Sequence, residues 1–468
     1  MSREKQLAKN TLVISFGTIL PKLVNVITLP IITACLTKAE YGEYDLISTL
    51  VFLILPITTL QIHSAAFRYL IDCRNDITES KKIISTLLSF VLIVSTITIV
   101  VIGIVMNWYQ WETRILICAY FYADMFFLVF QQIARGLSKN HLYSISAIFN
   151  AGINLVVIFM TLKMFNQGLN GVLIALVMAA VGGCFFLMIT LNIWTFFSFK
   201  DFNFRILKEL LNYSWPMIPN NISGWILRLS DRLVITFFLG AEANAVYAVA
   251  NKIPNLLSTF QSTFTYAWQE NASLAAKDRD ADLYYSNIFD SVFDMLVGIM
   301  ALLIAGTPIM FTLLIRGNYD SAYEQMPILF MGMFFSSISS ILGGIYIAHK
   351  RTRSVGLTTV SAAVIHIIID LLFVNSIGIT AGSVSTLISY LLLVIYRIYD
   401  VRKFQKIKFK FKKILLLMIV LFGMCLICEK QDTVLNIFNL IGGIAIALIL
   451  NKSLIKSFCI KMINIIQR

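Results

Sequence analysis

Residues 83–105 read IISTLLSFVLIVSTITIVVIGIV, an apolar run that contains no charged side chain. An α-helix rises about 1.5 Å per residue, so about 20 such residues cross the hydrocarbon core of a bilayer. The run is therefore long enough to cross a membrane as one helix. We predict a transmembrane span at 81–106 from this stretch.

The rest of the chain repeats this pattern. Of its 468 residues, 58% are hydrophobic and 13% are charged, whereas about 25% are charged in a typical soluble domain. The sequence therefore predicts an all-α, polytopic integral membrane protein with fourteen transmembrane helices. The predicted spans lie near 11–36, 45–71, 81–106, 114–138, 141–163, 169–198, 214–239, 243–270, 284–314, 324–348, 354–374, 379–401, 414–428 and 434–451.

Basic residues are distributed unequally between alternate loops. Of 38 Lys and Arg residues, 29 fall in one set of loops together with both termini, and five fall in the other set. Because cytoplasmic loops carry the excess of basic residues, both termini are predicted to be cytoplasmic. The net charge of +13 thus reflects membrane topology, and we expect no nucleic-acid partner. The basic segment 402–413, RKFQKIKFKFKK, is read as an anchor on anionic lipid.

Weak self-similarity indicates an internal duplication. Residues 36–44 (LTKAEYGEY) match residues 239–247 (LGAEANAVY), and Gly168–Gly171 matches Gly378–Ala381, at offsets close to 210. We predict two pseudo-symmetric six-helix lobes, with residues 1–200 in the N-terminal lobe and 201–404 in the C-terminal lobe. Residues 405–468 would hold the basic loop, two appended helices and a cytoplasmic tail. Parallel repeats of this kind place a substrate site between the lobes and suggest alternating access.

Basic residues inside the apolar spans are the informative exceptions. A charged side chain in the bilayer core is costly, so it faces a partner or a water-filled cavity. Spans 1, 2, 7 and 8, the corresponding first pairs of the two lobes, contain Lys22, Arg68, Arg228, Arg232 and Lys252. Of these five, Arg68 lies at the end of span 2 and is counted above with the cytoplasmic loops. They predict a water-filled, cationic chamber that selects anions. Arg68 and Lys252 could instead reach the membrane surface by snorkelling.

Amide, aromatic and acidic side chains extend this set. Hydroxyl groups on the same spans are expected to hold the bundle together by interhelical hydrogen bonds. Further binding candidates are Asn25, Asn221, Trp225, Asn251 and Asn255. Candidates for gating or ion coupling are Asp124, Asp231, Asp290, Asp294 and Asp370.

Each of these acids could neutralise a cavity cation or bind a coupling ion, H⁺ or Na⁺. Asp231 could pair with Arg228 three residues earlier, and Asp370 lies four residues after His366. Asp290 could simply lie at the cytoplasmic mouth.

Signatures of catalysis are missing from the sequence. It contains no G-x-x-x-x-G-K-[ST], G-x-S-x-G or H-E-x-x-H pattern, and it has only four histidines. We therefore expect no enzymatic activity, catalytic residue, metal site or bound cofactor. A purely structural role would leave the buried charges unexplained.

Three stretches resemble the polysaccharide-transporter branch, the Wzx type, of the multidrug/oligosaccharidyl-lipid/polysaccharide flippase superfamily. They are residues 36–44, residues 225–247 (WILRLSDRLVITFFLGAEANAVY) and residues 378–396 (GITAGSVSTLISYLLLVIY). The resemblance extends over nearly the whole chain, including the predicted two lobes and two appended spans.

The resemblance implies a function in the bacterial cytoplasmic membrane. It implies flipping of an undecaprenyl-diphosphate-linked oligosaccharide to the outer leaflet for capsule, exopolysaccharide, teichoic-type polymer or O-antigen assembly. The implied partners are this lipid-linked glycan, membrane lipid, and the polymerase and glycosyltransferases of the same pathway. By this analogy the five cations would contact the headgroup. One alternative is a cation-coupled multidrug antiporter of the same superfamily. A less well supported alternative is a membrane polysaccharide polymerase or ligase, because such enzymes typically carry a large external loop and none is predicted here.

Overall fold

The computed structural model describes residues 3–73, 76–275, 278–452 and 456, and every regular element in these residues is helical. Twelve of the described helices are long and apolar enough to cross a membrane. These findings confirm an all-α, polytopic membrane protein. The count of fourteen spans and the cytoplasmic termini stay predictions, and most of the predicted C-terminal tail lies outside the described residues.

The chain forms two compact units, one ending at Trp225 and the next beginning at Ile226. The predicted boundaries at residues 200 and 404 stay predictions. The helices before this division are α1 (Arg3–Cys35), α2 (Lys38–Thr58), α3 (Ile62–Asp72), α4 (Ile77–Val105), α5 (Trp111–Gly136), α6 (Asn140–Ile158), α7 (Gly168–Leu191), α8 (Ile193–Phe196) and α9 (Phe204–Ser214). Helix α10 (Ile218–Leu239) contains the division, and it is followed by α11 (Ala241–Ala250), α12 (Leu256–Ala275), α13 (Ala281–Leu314), α14 (Asp320–Ala348), α15 (Thr352–Ile377), α16 (Thr380–Val401), α17 (Phe411–Glu429) and α18 (Thr433–Leu450).

Helix α2 begins well before the predicted start of span 2 at residue 45. Thr37 and Glu40 form a capping box, in which each side chain accepts a hydrogen bond from the backbone N–H of the other residue. This arrangement satisfies two backbone donors at the start of the helix. Glu40 Oε1 also accepts a hydrogen bond from the backbone N–H of Leu169, 3.3 Å away. The cap therefore also fastens α2 to the start of α7.

The second predicted span of each lobe is a broken helix. Between α2 and α3, Leu60 and Gln61 adopt left-handed conformations with φ of 47° and 57°, which non-glycine residues rarely occupy. Between α11 and α12 lies a turn over residues 251–255 that contains Pro254, whose missing N–H interrupts helical hydrogen bonding. Each predicted span is thus two shorter helices.

The same pairs of helices pack in both units. In the first unit α5 packs on α3, α4, α6 and α7. In the second unit α14 packs on α12, α13, α15 and α16, and α15 also packs on α16 as α6 packs on α7. Since α5 and α14 are the fourth spans of the two predicted lobes, this recurrence is what an internal duplication would produce.

The basic segment lies along one face of α13. Lys410 Nζ is 2.7 Å from Asp290 Oδ2, and Lys413 Nζ is 2.6 Å from an oxygen of Asp294. The hydrogen bond to Asp290 raises the pKa of the Lys410 ammonium above its usual value. Over residues 405–410 the side chains alternate between buried and exposed, with the lysines exposed. An anchor on anionic lipid therefore stays compatible with this segment, and Asp290 and Asp294 help to hold it in place.

Close packing between α5 and α7 generates a testable prediction. A Cβ atom at Gly183 of α7 would overlap the ring of Phe127 on α5. Because overpacking a buried contact costs about 1–3 kcal/mol, we expect Gly183→Leu to lower the Tm of the detergent-solubilised protein by at least about 3 °C. The measurement is thermal unfolding followed by tryptophan fluorescence.

The matched control is Gly152→Leu on α6. No atom lies within 4 Å of a Cβ built at Gly152, so this variant should melt with the unsubstituted protein. Equal Tm values for both variants would show that the α5–α7 contact tolerates the added side chain.

Candidate functional site

The second unit buries two carboxylates around one histidine. Asp231 comes from α10, His366 and Asp370 come from α15, and their exposed fractions are 2%, 0% and 1%. On α15 the spacing of four residues places His366 and Asp370 on one face of the helix. The helices α10 and α15 therefore meet through ionisable side chains in the interior of this unit.

The imidazole ring lies between the two carboxylates. His366 Nε2 is 2.9 Å from Asp231 Oδ1, and His366 Nδ1 is 3.5 Å from Asp370 Oδ2. The two ring nitrogens thus face different acids. Even a protonated imidazole leaves the three side chains with one net negative charge when both carboxylates are ionised.

Hydroxyl groups from neighbouring helices surround this group. Tyr247 of α11 donates a short hydrogen bond from its hydroxyl to Asp231 Oδ2, and Thr386 of α16 donates to the same oxygen at 3.3 Å. Gly382 of α16 makes room for this approach, because a Cβ there would lie 3.0 Å from the Tyr247 ring. The site therefore draws on α10, α11, α15 and α16.

Asp370 is the unsatisfied member of the cluster. Among the described residues, neither of its side-chain oxygens accepts a well-formed hydrogen bond, and its polar neighbours are the His366 ring, Asp231 and Ser385. A buried carboxylate without hydrogen bonds is strongly disfavoured unless a proton or another cation neutralises it. One ligand atom each from Asp231, His366 and Asp370 lies within 4.8 Å of the others, so these residues fit a small cation as well as a proton. We call Asp231, His366 and Asp370 the carboxylate–histidine cluster.

The sequence named only part of this cluster. Asp231 and Asp370 were candidates on separate spans, and the structure brings them together. Asp231 lies against His366 and not against the predicted Arg228, whose side chain is exposed. Thr386 was missed, although buried polar side chains recur on one face of α16 at Ser383, Thr386, Tyr390 and Arg397. Spacings of three, four and seven residues along a helix were the available signal.

Arg397 was also missed: it lies near the end of the predicted span 379–401 and was counted with the basic residues of the following loop, near 397–413. It lies in α16 with 4% of its surface exposed. Its guanidinium donates to the Ser339 carbonyl oxygen at 2.7 Å and to the Thr358 and Thr359 hydroxyls at 3.0 Å. These three partners are neutral and lie on α14 and α15, so Arg397 fastens three helices together.

The five predicted cations differ in exposure. Lys22, Arg68 and Arg228 are exposed, and Arg232 and Lys252 are half-buried. Arg68 Nη1 lies 2.7 Å from Asp72 Oδ1 in an exposed ion pair near the end of α3. Their role in headgroup binding stays a prediction.

The amide and aromatic candidates divide into two groups. Trp225 is buried and donates from its indole nitrogen to the Thr49 carbonyl oxygen at 3.4 Å. Asn251 is buried and donates to the Tyr247 carbonyl oxygen at 3.0 Å. Asn25 and Asn221 are exposed and Asn255 is half-buried. Trp225 and Asn251 thus use a side-chain donor for hydrogen bonds within the protein. The side chains of Asn25 and Asn221 are accessible from outside the protein.

The remaining acids lie apart from the carboxylate–histidine cluster in the chain. Asp290 and Asp294 on α13 form the ion pairs with Lys410 and Lys413 described above. Asp124 is half-buried in α5. Of the five acids predicted for gating or ion coupling, Asp231 and Asp370 are the two that meet in one site.

Sequence comparisons place this architecture among known proteins. A family model described as polysaccharide biosynthesis protein matches residues 7–268. The uncharacterized membrane protein MJ1068 of Methanocaldococcus jannaschii is 22% identical over 344 residues, covering 69% of this chain and 66% of that protein. The probable low-salt glycan biosynthesis flippase Agl15 of Haloferax volcanii is 21% identical over 221 residues, covering 46% of this chain and 47% of that protein. The matches thus span between about half and two thirds of the length of these relatives.

Solved structures share the fold over most of the chain. The lipid II flippase MurJ in an inward closed conformation superimposes with a TM-score of 0.72 at 14% identity, covering 96% of this chain and all of that one. An outward-facing multidrug resistance transporter of the MATE family gives 0.59 at 16% identity, covering 86% of this chain and 96% of that one. At this identity the likeness shows the fold alone.

The expected resemblance is therefore confirmed, and the chain is a multi-pass membrane protein with the fold of transporters in the multidrug/oligosaccharidyl-lipid/polysaccharide superfamily. Because the family model covers more than half of the sequence, the chain belongs to the polysaccharide biosynthesis protein family, the Wzx-type branch of that superfamily.

Proposed function

We propose that this protein flips an undecaprenyl-diphosphate-linked oligosaccharide from the cytoplasmic to the outer leaflet by alternating access. The observation that carries the proposal is the family match over residues 7–268. Two similar proteins support it through their names, a probable glycan biosynthesis flippase and a lipid II flippase. The product would supply a polymerase or ligase in the assembly of a surface polysaccharide.

The cationic side chains suit the headgroup of such a substrate. A diphosphate is anionic, and arginine can bind its oxygens through paired, charge-assisted hydrogen bonds. Lys22 and Arg228 are exposed on long apolar helices. Exposure to lipid would be costly for either charge, so in the proposal each of them faces a water-filled space. The lipid tail stays in the bilayer while the headgroup crosses.

The carboxylate–histidine cluster is the coupling site in this proposal. Two buried carboxylates with an excess negative charge repel each other until H⁺ or Na⁺ binds. Cation binding would therefore draw α10 and α15 together, and cation release would let them separate. A ligand shifts such an equilibrium only if it binds the two states with different affinities. In this proposal the cation binds more tightly when α10 and α15 are close, because Asp370 then lies next to Asp231.

Helix α10 links the ion to the substrate. Arg228 precedes Asp231 by three residues and Arg232 follows it directly. Any movement of α10 that brings Asp231 to Asp370 also moves both arginines. The cation and the anionic headgroup are thus coupled through one helix.

A cation-coupled multidrug antiporter is the second candidate. The buried acids of the carboxylate–histidine cluster favour it, because such a site can hold a cation, and transporters of the MATE family share the fold. The two functions differ in the charge of the substrate. A flippase needs the cations on α10, whereas an exporter of cationic drugs gains nothing from them.

We predict that Arg228→Ala and Arg232→Ala each reduce polymer export. A charge-assisted hydrogen bond is worth roughly 1.5–3 kcal/mol, so each loss should lower the flipping rate about ten- to hundredfold. The measurement is surface polysaccharide in cells that depend on this protein, with the membrane level of each variant confirmed by immunoblot.

The matched control is Arg205→Ala, which removes an exposed arginine that pairs with Glu209 on the amphipathic α9. Its export should equal that of the unsubstituted protein. Full export by both α10 variants would exclude the proposed headgroup contacts. So would a change in resistance to cationic drugs with polymer export left unaffected.

We also predict that Asp370→Asn removes the response of flipping to an imposed H⁺ or Na⁺ gradient. The amide keeps the shape of the side chain but cannot carry the charge that binds the cation. The measurement is flipping of a fluorescent lipid-linked oligosaccharide in proteoliposomes with and without each gradient.

Asp278→Asn serves as the control, since Asp278 is exposed in the loop before α13. Flipping by this variant should respond to the gradient as before. A gradient response that persists in Asp370→Asn would place coupling elsewhere in the chain.

A further inference from the structure

Helices α15 and α16 enclose a groove of about 570 Å³. Its walls are formed by residues from Leu357 to Ile365 of α15 and from Ser389 to Tyr399 of α16. Both helices are long and apolar enough to cross a membrane. Large apolar side chains at its rim are exposed, including Leu357 and Ile395. The groove therefore opens on a surface that fits hydrocarbon.

Small side chains create this space. On α15, Ser361 and Ala362 follow Thr358 by three and four residues. Ser389 lines the groove from α16. The three residues of α15 lie on one face of that helix. The rim is built from larger residues, such as Leu357 and Ile395.

The groove occupies only half of the bilayer. It begins near the start of α15 and the end of α16, and it stops at Ile365 and Ser389, close to the middle of each helix. These ends adjoin basic residues that the distribution of charge assigns to the cytoplasm. A hydrocarbon chain in the groove would therefore extend from the cytoplasmic surface to the bilayer midplane, as an acyl chain of one leaflet does.

The open end of the groove is cationic. Arg353 is exposed in the first turn of α15. Lys403 Nζ lies 4.9 Å from the centre of the Tyr399 ring and is half-exposed while pairing with Asp400. Tyr399 and Tyr396 are themselves exposed, at the depth where aromatic side chains meet lipid headgroups.

A buried charge lies behind the groove. The Thr358 hydroxyl, in the groove wall, accepts hydrogen bonds from Arg397 Nε at 3.3 Å and Nη2 at 3.0 Å. Arg397 also donates to neutral oxygens of α14 and α15. Its positive charge therefore adds to that of Arg353 and Lys403 at the groove.

We propose that this groove binds one anionic phospholipid of the cytoplasmic leaflet, with an acyl chain between α15 and α16 and the phosphate at Arg353 and Lys403. An acyl chain gains no hydrophobic free energy by moving from bulk lipid to the groove. Selectivity therefore comes from the charge at the mouth, and the lipid is anionic. This site is separate from the carboxylate–histidine cluster and does not depend on the transported substrate.

The test measures lipid binding to the full-length protein in detergent. Phosphatidylglycerol and phosphatidylcholine are titrated separately, and binding is followed by native mass spectrometry and by the rise in Tm that a bound ligand produces. We expect phosphatidylglycerol to bind at least tenfold more tightly than phosphatidylcholine. Equal binding of the two lipids would overturn the proposal.

Two variants then locate the site. Ser361→Trp places a large side chain in the groove from an exposed position, and Arg353→Gln with Lys403→Gln removes the charge at the mouth. Each should weaken phosphatidylglycerol binding at least tenfold. The controls are Ser376→Trp at the far end of α15, and Lys200→Gln with Arg205→Gln, exposed basic residues outside the groove.

Unchanged phosphatidylglycerol affinity in both test variants would overturn the proposal, as would equal losses in the controls. A Ser361→Trp protein with a lowered Tm in lipid-free detergent would be set aside, and the double Gln variant then decides. If undecaprenyl phosphate binds at the groove and phosphatidylglycerol does not, the groove holds the isoprenoid carrier and the phospholipid assignment is wrong. These outcomes involve no transport measurement, so they are independent of the proposed flipping.

Discussion

The bilayer core supplies no water to charged side chains, so each one must be paired, neutralised or placed in an aqueous space. In the second unit this constraint has two different solutions. Arg397 is surrounded by carbonyl and hydroxyl oxygens that satisfy its guanidinium. Asp370 is buried as deeply, but no well-formed hydrogen bond satisfies its carboxylate. A satisfied charge holds helices together permanently, whereas an unsatisfied one can respond to a cation. The two residues therefore suit opposite purposes within one helical unit.

The long helices were predictable because their signal is local. A stretch such as residues 83–105 needs only its own length and composition to specify a spanning helix. The break between α2 and α3 was not predictable in the same way, because Leu60 and Gln61 are ordinary side chains in unusual backbone conformations. The break between α11 and α12 has a local signal in Pro254. The type of each element was thus predictable from the sequence, whereas an interruption at ordinary residues was not.

The candidate site could be predicted from the sequence only in part, for a related reason. Spacing along a helix shows which residues share a face, so His366 and Asp370 could be recognised as neighbours. It does not show which helix that face will meet. Arg228 was therefore the natural partner of Asp231 in the sequence, since a local pair at three residues can always form. The fold instead places Asp231 against His366 of α15, and leaves Arg228 exposed.

That exchange of partners has a functional consequence. Had Asp231 paired with Arg228, both charges would be neutralised within α10, and neither would be free to bind an ion or a headgroup. Because the acid is instead directed to α15, one turn of α10 carries an acid on its buried side and an arginine on its exposed side. Two ligands of opposite charge can then act on the same helix without competing for the same residue. In the proposed flippase, this separation would let a cation at the buried face of α10 and an anionic headgroup at its exposed face act through the same helix.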